Sequence, residues 1–321
     1  MHLLIPFAFG SSEGCQQALR SLKLPHLDQL LRRLTPEAPD TGDALSLSPP
    51  HERALARALG LATQDGMLPW ACVQVAQATD AALTDDNACA FITPCHWQVS
   101  SGHIAMSGQA LSDWSAHESH ALLAAMQPYF AQDGLTLQYD QPSRWLATGA
   151  LLQGLATASL DRVAGRDIAH WLPRGAHAGA VQRLQSEMQM LLYTHPVNEA
   201  RAARGVVPVN SFWLSGTGTL PAGWQAAAAG PAPQVVTRLR DAALHEDWAA
   251  WANAWLALDA TECAALLAAL NRTREPNQPG IKLTLCGERS AQTFTAQPQA
   301  TFTKFMNIFA RKRSSNVLEQ L

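Results

Sequence analysis

Between residues 187 and 218 the chain reads EMQMLLYTHPVNEARAARGVVPVNSFWLSGTG, and this stretch constrains the fold more than any other. Val181, Leu184, Met188, Leu191 and Leu192 lead into it at helical spacing, so an amphipathic helix is expected as far as Tyr193. Pro196 then pushes the residue before it out of the helical region, and the helix stops. Residues 198–204 are rich in Ala, Arg and Glu and support two further turns, with Gly205 placed for a left-handed stop. Residues 206–214 are β-branched and aromatic and predict a strand. Pro208 delays its pairing or confines it to an edge. Gly216, Thr217 and Gly218 follow at the strand's carboxyl end, where ligands sit in open α/β sheets.

The same residues have a plainer reading. Glycines after a strand usually make a turn, Asn210 can cap a loop, and Arg201 can be a solvated charge; residue types alone favour that reading. The Gly-Thr-Gly run is neither a GxGxxG fingerprint nor a P-loop, because the remaining glycines and the Lys-Ser/Thr pair are missing.

Composition narrows the classes. A hydrophobic fraction of 47% against 15% charged residues supports a large core and excludes a disordered chain. A net charge of −3 gives no general case for nucleic-acid binding. Ten tryptophans against three tyrosines imply many indole N–H groups needing partners near the core. Cys15, Cys72, Cys89, Cys95, Cys263 and Cys286 contain no CxxC pair and read as reduced, buried thiols of a cytoplasmic protein. No apolar run is read as reaching the roughly 18 residues of a membrane span, and the amino terminus lacks the basic start of a signal peptide.

Along the chain, residues 2–9 read as a buried first strand, and residues 16–34 as two helices divided at Pro25. A helix is expected over 51–60, and residues 69–78 fit either class. A short strand over 88–98 runs into a Pro-Cys-His turn, followed by a hairpin turning at Ser100, Ser101 and Gly102. Residues 112–130 read as a helix carrying His117 and His120, which are surface histidines at the wrong interval for a zincin. Strands are expected over 134–139, 144–147 and 280–287, and a helix pair over 241–270. A basic tail follows at Arg311, Lys312 and Arg313, read as a solvated end. Alternating strands and helices give an α/β class with one mainly parallel sheet flanked by helices. The strands near 2–9 and 209–214, nearly continuously apolar, are expected near its centre. One domain over 1–321 is the default, with subdivision near 109–113 or 219–233 as the alternative.

Several segments, taken in order, resemble a bacterial family described as RpfE-type regulatory proteins, which is phosphoglycerate-mutase-like. Residues 2–9 with Leu24, Pro25, Leu27 and Leu30 resemble its first strand and LP-x-L-x-x-L helix. Thr93-Pro94-Cys95-His96-Trp97 looks like its ADPVHL turn, with Thr93 in place of the usual Asp. Arg144-Trp145-Leu146 looks like its RWYL strand. Glu187-Met188-Gln189-Met190-Leu191-Leu192 matches E-x-QM-L-L. His195-Pro196-Val197-Asn198 with Arg201 and Gly205 matches HP-V-N-x-x-R-x-x-G. Asn210-Ser211-Phe212-Trp213 with Gly216 and Gly218 matches NS-W-x-W-G-x-G, with Ser215 where an aromatic is usual. The resemblance covers residues 1 to about 220 and weakens beyond.

It implies a degenerate alkaline-phosphatase-like fold, related to the cofactor-independent phosphoglycerate mutases. True members use two metals and a Ser or Thr nucleophile, the metals clamping attacking and leaving oxygens. That needs an Asp after the first strand and an Asp-His set near the carboxyl terminus. Here the strand ends in Pro6, Phe7, Ala8, Phe9 and Gly10, with no carboxylate, and His245 is the only histidine beyond residue 220. Ser11 and Ser12 stand where the nucleophile would, without an adjacent base. No metal or cofactor is therefore expected. One hypothesis is a binding or regulatory protein whose site uses His96, Glu187, His195, Asn198, Arg201, Asn210, Ser211, Gly216 and Gly218, taking a small anionic ligand or a protein partner. In it the planar fork of Arg201 grips a carboxylate or phosphate. Arg201 is also expected to pair with Glu187 across the Pro196 turn, with Asn198 and Asn210 converging on the pair, as a cluster that is structural first and ligand-binding second. The alternative is an enzyme, either a phosphotransferase with an unfamiliar, non-standard site or a metal-free hydrolase with His96 or His195 as base.

Overall fold

The computed structural model describes residues 1–79, 88–108, 111–221, 223–224, 231–272, 280–296 and 314–321. By its contacts the chain divides into two compact units. Unit 1 comprises Met1–Ala44, Pro49–Leu59 and Ala229–Leu321, and unit 2 comprises Leu45–Ser48 and Gly60–Ala228. One crossing between units thus falls inside the 219–233 loop, and none falls at 109–113.

Unit 1 begins with β1 (His2–Ile5), α1 (Glu13–Ser21), α2 (Pro25–Arg33), β2 (Thr35–Pro36), β3 (Asp40–Thr41) and α3 (Pro50–Ala58). Unit 2 contains α4 (Trp70–Thr79), β4 (Cys89–Cys95), β5 (Trp97–Ser100), β6 (His103–Met106) and α5 (Ala116–Gln132). It continues through β7 (Thr136–Gln141), β8 (Arg144–Thr148), α6 (Leu160–Val163), α7 (Ala178–Tyr193), α8 (Pro196–Ala203) and β9 (Ser211–Ser215). The chain returns to unit 1 with β10 (Gln234–Val235), α9 (Arg240–Leu244), α10 (Trp248–Leu258), α11 (Ala264–Arg272), β11 (Lys282–Cys286), β12 (Ser290–Thr295) and α12 (Ser314–Leu318). The expected basic tail at residues 311–313 lies outside the described residues.

The class is mixed α/β, but the sheet is not mainly parallel. In unit 1 the strand order is β10-β1-β11-β12-β2, with β3 also on β12. Only β1 pairs in parallel, with β10 and β11; β12 runs antiparallel to all its partners. Unit 2 holds a second, wholly antiparallel sheet, β7-β8-β4-β9, and the β5–β6 hairpin. The expected central pair therefore separates: β1 is an interior strand of one sheet, beside the edge strand β10, and β9 is an edge strand of the other. The apolar run of β9 has another cause. Phe212 and Leu214 pack into one core and Trp213 into a second, so both faces are covered without parallel neighbours. Continuous apolarity reports covered faces, not strand direction.

In unit 1 the first strand ends earlier than expected. After Ile5 the chain turns, with Phe7 in the left-handed region at φ 55°. Leu3, Ile5, Leu283, Leu285 and Phe294 of the sheet pack with α1, α2 and α10 in one core. Pro25 opens α2 at its first turn, where a missing N–H costs nothing.

One expectation about length is corrected here. The run Trp248–Arg272 is 25 residues, holds an 18-residue window with a mean hydropathy of 1.2, and is long and apolar enough for a span. Its fully buried Trp251, Trp255, Leu258, Cys263 and Leu266 face the unit 1 core instead. A π-helical turn at Asp259–Cys263 interrupts it, and the buried Asp259 carboxylate points at the start of α2. Its oxygens accept from Leu27 N at 2.7 Å and His26 N at 3.2 Å, with the His26 ring Nδ1 3.0 Å away. A carboxylate satisfying the open N–H groups of another helix fits a protein core. Hydrogen bonds to a charged group contribute about 1.5–3 kcal/mol, so Asp259→Ala is expected to lower the unfolding free energy by that amount. Urea unfolding measures it, and an unchanged midpoint would show that α2 is held elsewhere.

Candidate functional site

The central stretch folds almost as read: α7, the Pro196 turn, α8, then Gly205 at φ 70°. β9 starts only at Ser211, as Pro208 implies. What differs is the work of the polar side chains.

Arg201 lies on α8 and is fully buried. Its guanidinium donates to the carbonyls of Val207 at 2.9 Å, Asp113 at 3.1 Å and Ser112 at 2.9 Å, and to Glu118 Oε2 at 3.3 Å. The Trp114 ring lies 5.3 Å from its central carbon, within cation–π range. Arg204, one turn on, donates to Glu118 Oε1 at 2.7 Å and approaches Asp113 at 3.1 Å. The partner of Arg201 is therefore Glu118 on α5, and the expected pairing with Glu187 is corrected. Glu187 is half-buried on α7, 3.6 Å from Arg183 on the same helix. The reason is geometric: α7 turns its apolar residues Leu184, Met188 and Leu192 inward, which leaves Glu187 outside.

Glu118 is the acceptor the sequence reading passed over. Its signal was present as Ser115-Ala116-His117-Glu118, a capping box. The Ser115 hydroxyl accepts from Glu118 N at 3.1 Å, and the Glu118 carboxylate accepts from Ser115 N at 3.1 Å, opening α5. Burial pushes the Glu118 carboxyl up. The Arg204 bond, the Ser115 N–H and the Arg201 charge outweigh it and hold the group below the usual carboxylate range. Neighbouring His120 stacks on Tyr139, ring centroids 3.9 Å apart.

The two asparagines replace missing strand pairing. Asn198 accepts from Val209 N at 2.8 Å and donates to Val209 O at 2.6 Å and Leu192 O at 2.8 Å. Asn210 does the same for Trp97, accepting from its N–H at 2.7 Å and donating to its carbonyl at 2.8 Å. His195 caps α8, its Nδ1 accepting from Val197 N at 3.2 Å, and burial lowers its pKa. His96 Nδ1 lies 2.9 Å from the Pro208 carbonyl. Ser211 is buried, its hydroxyl without a hydrogen-bond partner among the described residues.

The glycine loop is a clasp. Gly216 has φ 70° and Gly218 has φ 139°, and a Cβ on Gly218 would run into the Met67 carbonyl. Between them Thr217, fully buried, donates to Leu155 O at 2.6 Å and lies 2.9 Å from the Thr157 hydroxyl. Its oxygen is also 3.2 Å from the Gly66 carbonyl. Asn198 and Arg201 thus share α8, and His96 and Asn210 meet around Trp97 and Pro208. Glu187 pairs instead with Arg183 on its own helix.

The other place to examine is the carboxyl end of β1 in unit 1. Ser11 N and Oγ bond Glu288 at 3.2 and 2.5 Å, and Ser12 caps α1 by accepting from Cys15 N at 3.3 Å. The Phe7 and Ala8 carbonyls accept the indole N–H groups of Trp251 at 2.9 Å and Trp255 at 3.3 Å. Residues 6–10 bring no carboxylate. His245 is exposed, with Nδ1 2.7 Å from the Asp241 carbonyl. Among the described residues no group of three or more His, Cys, Asp or Glu is placed to hold a metal ion. The donors do not fit a two-metal centre.

No family model matches the chain. A stretch of 59 residues, 18% of this chain, is 37% identical to the 2,3-bisphosphoglycerate-independent phosphoglycerate mutase of Methanothrix thermoacetophila. The match spans 15% of that enzyme's length. Among solved structures, the cofactor-independent phosphoglycerate mutase from Thermoplasma acidophilum aligns over 100% of this chain and 99% of its own, with a TM-score of 0.37 and 11% identity. The PH0037 protein from Pyrococcus horikoshii aligns over 92% and 87%, with a TM-score of 0.43 and 13% identity. The chain is similar, at a distance, to the cofactor-independent phosphoglycerate mutases.

Removing one partner of a buried charged pair costs about 3–5 kcal/mol, so Arg201→Ala should lower the melting temperature markedly. Arg201→Lys should not restore it, because a point charge cannot bridge oxygens from three segments. Calorimetry checks both; parent-like melting would show that Arg201 is not structural. Glu118 also sets a pH dependence. Its folded pKa is depressed, so its contribution is complete above the unfolded value of about 4.3 and is lost as pH falls through the lower folded value. Glu118→Gln should flatten that part of the stability curve, measured by unfolding between pH 6 and 2.

Proposed function

We propose that this is a phosphoglycerate-mutase-like protein without two-metal phosphotransfer, acting as a binding or regulatory protein. The observation that carries the reading is the carboxyl end of β1. Residues 6–10, which follow the strand, bring no carboxylate, and the Phe7 and Ala8 carbonyls are taken up by two tryptophan N–H groups. The narrower likeness to RpfE-type regulators rests on the ordered motifs alone.

The structural use of Arg201 alters what such a protein would bind. A guanidinium wrapped in carbonyls cannot also grip a phosphate. A protein partner is therefore favoured over a small anion. Met190 and Tyr193 on the outer face of α7 agree with this, being 78% and 86% exposed. A cytoplasmic location belongs to the same reading, supported by six free, buried cysteines.

One contact favours the alternative, a metal-free hydrolase or phosphotransferase. Ser11 Oγ lies 2.5 Å from Glu288 at the start of α1, an arrangement in which a carboxylate can accept the hydroxyl proton. His96 and His195 support it less, since the Nδ1 of each is engaged with backbone.

The purified protein is expected to show no interconversion of phosphoglycerates, with or without manganese. Turnover on the order of 1 per second that is lost on chelation would overturn the proposal. Two zinc or manganese ions per chain in elemental analysis would do the same. Hydrolysis of a nitrophenyl ester or phosphate abolished by Ser11→Ala would decide for the alternative.

A further inference from the structure

Cys72 and Cys89 lie beside the glycine clasp and take no part in the reading proposed above. Cys72 lies in the first turn of α4, and Cys89 opens β4. Both are buried in one small apolar cluster with Ala71, edged by Val75, Phe91, Leu146 and Leu220. The two thiols are hydrogen-bonded to each other. The Cys72 sulfur also lies 3.5 Å from the Gly218 carbonyl, to which its S–H is directed, and Ala71 N donates to Gly216 O at 3.1 Å. The start of α4 is thus held to the glycine clasp by one amide and one thiol.

A thiol pair in contact differs chemically from four isolated ones. Cys15, Cys95, Cys263 and Cys286 are buried thiols whose burial pushes their pKa up, Cys15 to about 11. They are poor nucleophiles, because the thiolate is the reacting form. At the pair, the bond with Cys89 holds Cys72 below the usual thiol value against the effect of burial, and Cys89 is pushed up. One sulfur is therefore the better nucleophile, and the other is already beside it to resolve the product.

We propose that Cys72 and Cys89 are an oxidation site, a dithiol that a small hydroperoxide converts reversibly into a disulfide joining the start of α4 to the start of β4. The Cys72 thiolate attacks one peroxide oxygen; the S–O bond forms as the O–O bond breaks. The departing alkoxide or hydroxide takes the proton released by Cys72. The Cys89 sulfur then attacks the Cys72 sulfenic acid; the S–S bond forms as the S–O bond breaks. Hydroxide leaves and takes the Cys89 proton as water. Two thiols and one hydroperoxide give one disulfide, one alcohol (or water) and one water. Burial of both sulfurs restricts the oxidant to small molecules. The product lacks the Cys72 S–H, so Gly218 O loses its thiol donor and the clasp registers the redox state.

The test is a titration of the native full chain with hydrogen peroxide, followed by thiol alkylation, digestion and mass spectrometry. The expected result is a Cys72–Cys89 linked peptide lighter by two hydrogens, reversed by dithiothreitol, with the other four cysteines still alkylated. Cys72→Ser and Cys89→Ser should each abolish it. If either variant fails to fold, equilibration of the parent in glutathione buffers of varied poise supplies the same map. No linked peptide, linkage to other cysteines in equal yield, or linkage only after urea unfolding would each overturn the proposal.

Discussion

A guanidinium keeps its charge at any pH a protein survives, so a fully buried arginine obliges the chain around it to supply acceptors. In unit 2 that obligation fixes four segments at once. Arg201 collects carbonyls from Ser112 and Asp113 before α5, from Val207 before β9, and a carboxylate from Glu118 on α5. The segment 112–114 has little regular structure, and Arg201 ties two of its carbonyls to α8. Glu118 serves twice, opening α5 through the capping box and pairing with both Arg201 and Arg204. The cap, the charge pair and the approach to β9 therefore stand or fall together, and single substitutions here will not add as independent effects.

Unit 1 solves a related problem with indoles. The chain leaving β1 turns sharply at Phe7 in a conformation that a bulky side chain rarely adopts. Such a turn persists only when its surroundings over-determine it. Here Trp251 and Trp255 donate to consecutive carbonyls, and Ala8 N donates to Cys286 O at 2.8 Å. The same helical run carries Asp259, which satisfies the open N–H groups of α2. One apolar helix with three polar contacts thus positions both the first turn and the second helix. That use of tryptophan, a large apolar body with one donor, accounts for part of the unusual Trp-to-Tyr balance.

Much of the local structure was legible. Pro25, Pro196, Gly205 and the spacing of leucines mark helix boundaries that the structure reproduces, because they act through backbone sterics within a few residues. The late start of β9 followed from Pro208 for the same reason. Strand β12, sheet direction and the separation of β1 from β9 were not legible. Those depend on which segments pair across the chain, and period and apolarity are silent about it. The nine candidate site residues show the limit most clearly. Glu187 and Glu118 are equally acidic, and only the inward face of α7 decides which one meets Arg201. The capping box at Ser115 was the one local signal that would have pointed to Glu118.

The deeper difficulty is that a chain poor in charge uses its few polar side chains as struts, and struts resemble sites. An asparagine that pairs with a backbone N–H and C=O, as Asn198 does with Val209 and Asn210 with Trp97, substitutes for a missing strand neighbour. A threonine flanked by two glycines, each with positive φ, can reach carbonyls that no regular element offers. Each such residue is intolerant of substitution for structural reasons, which is the same pattern that a ligand would impose. The distinction lies in whether polar atoms remain for something else. For Arg201, Asn198, Asn210 and Thr217 they are engaged inside the unit. At the paired thiols of Cys72 and Cys89 the existing contact is itself a reactive arrangement, and chemistry remains available to it.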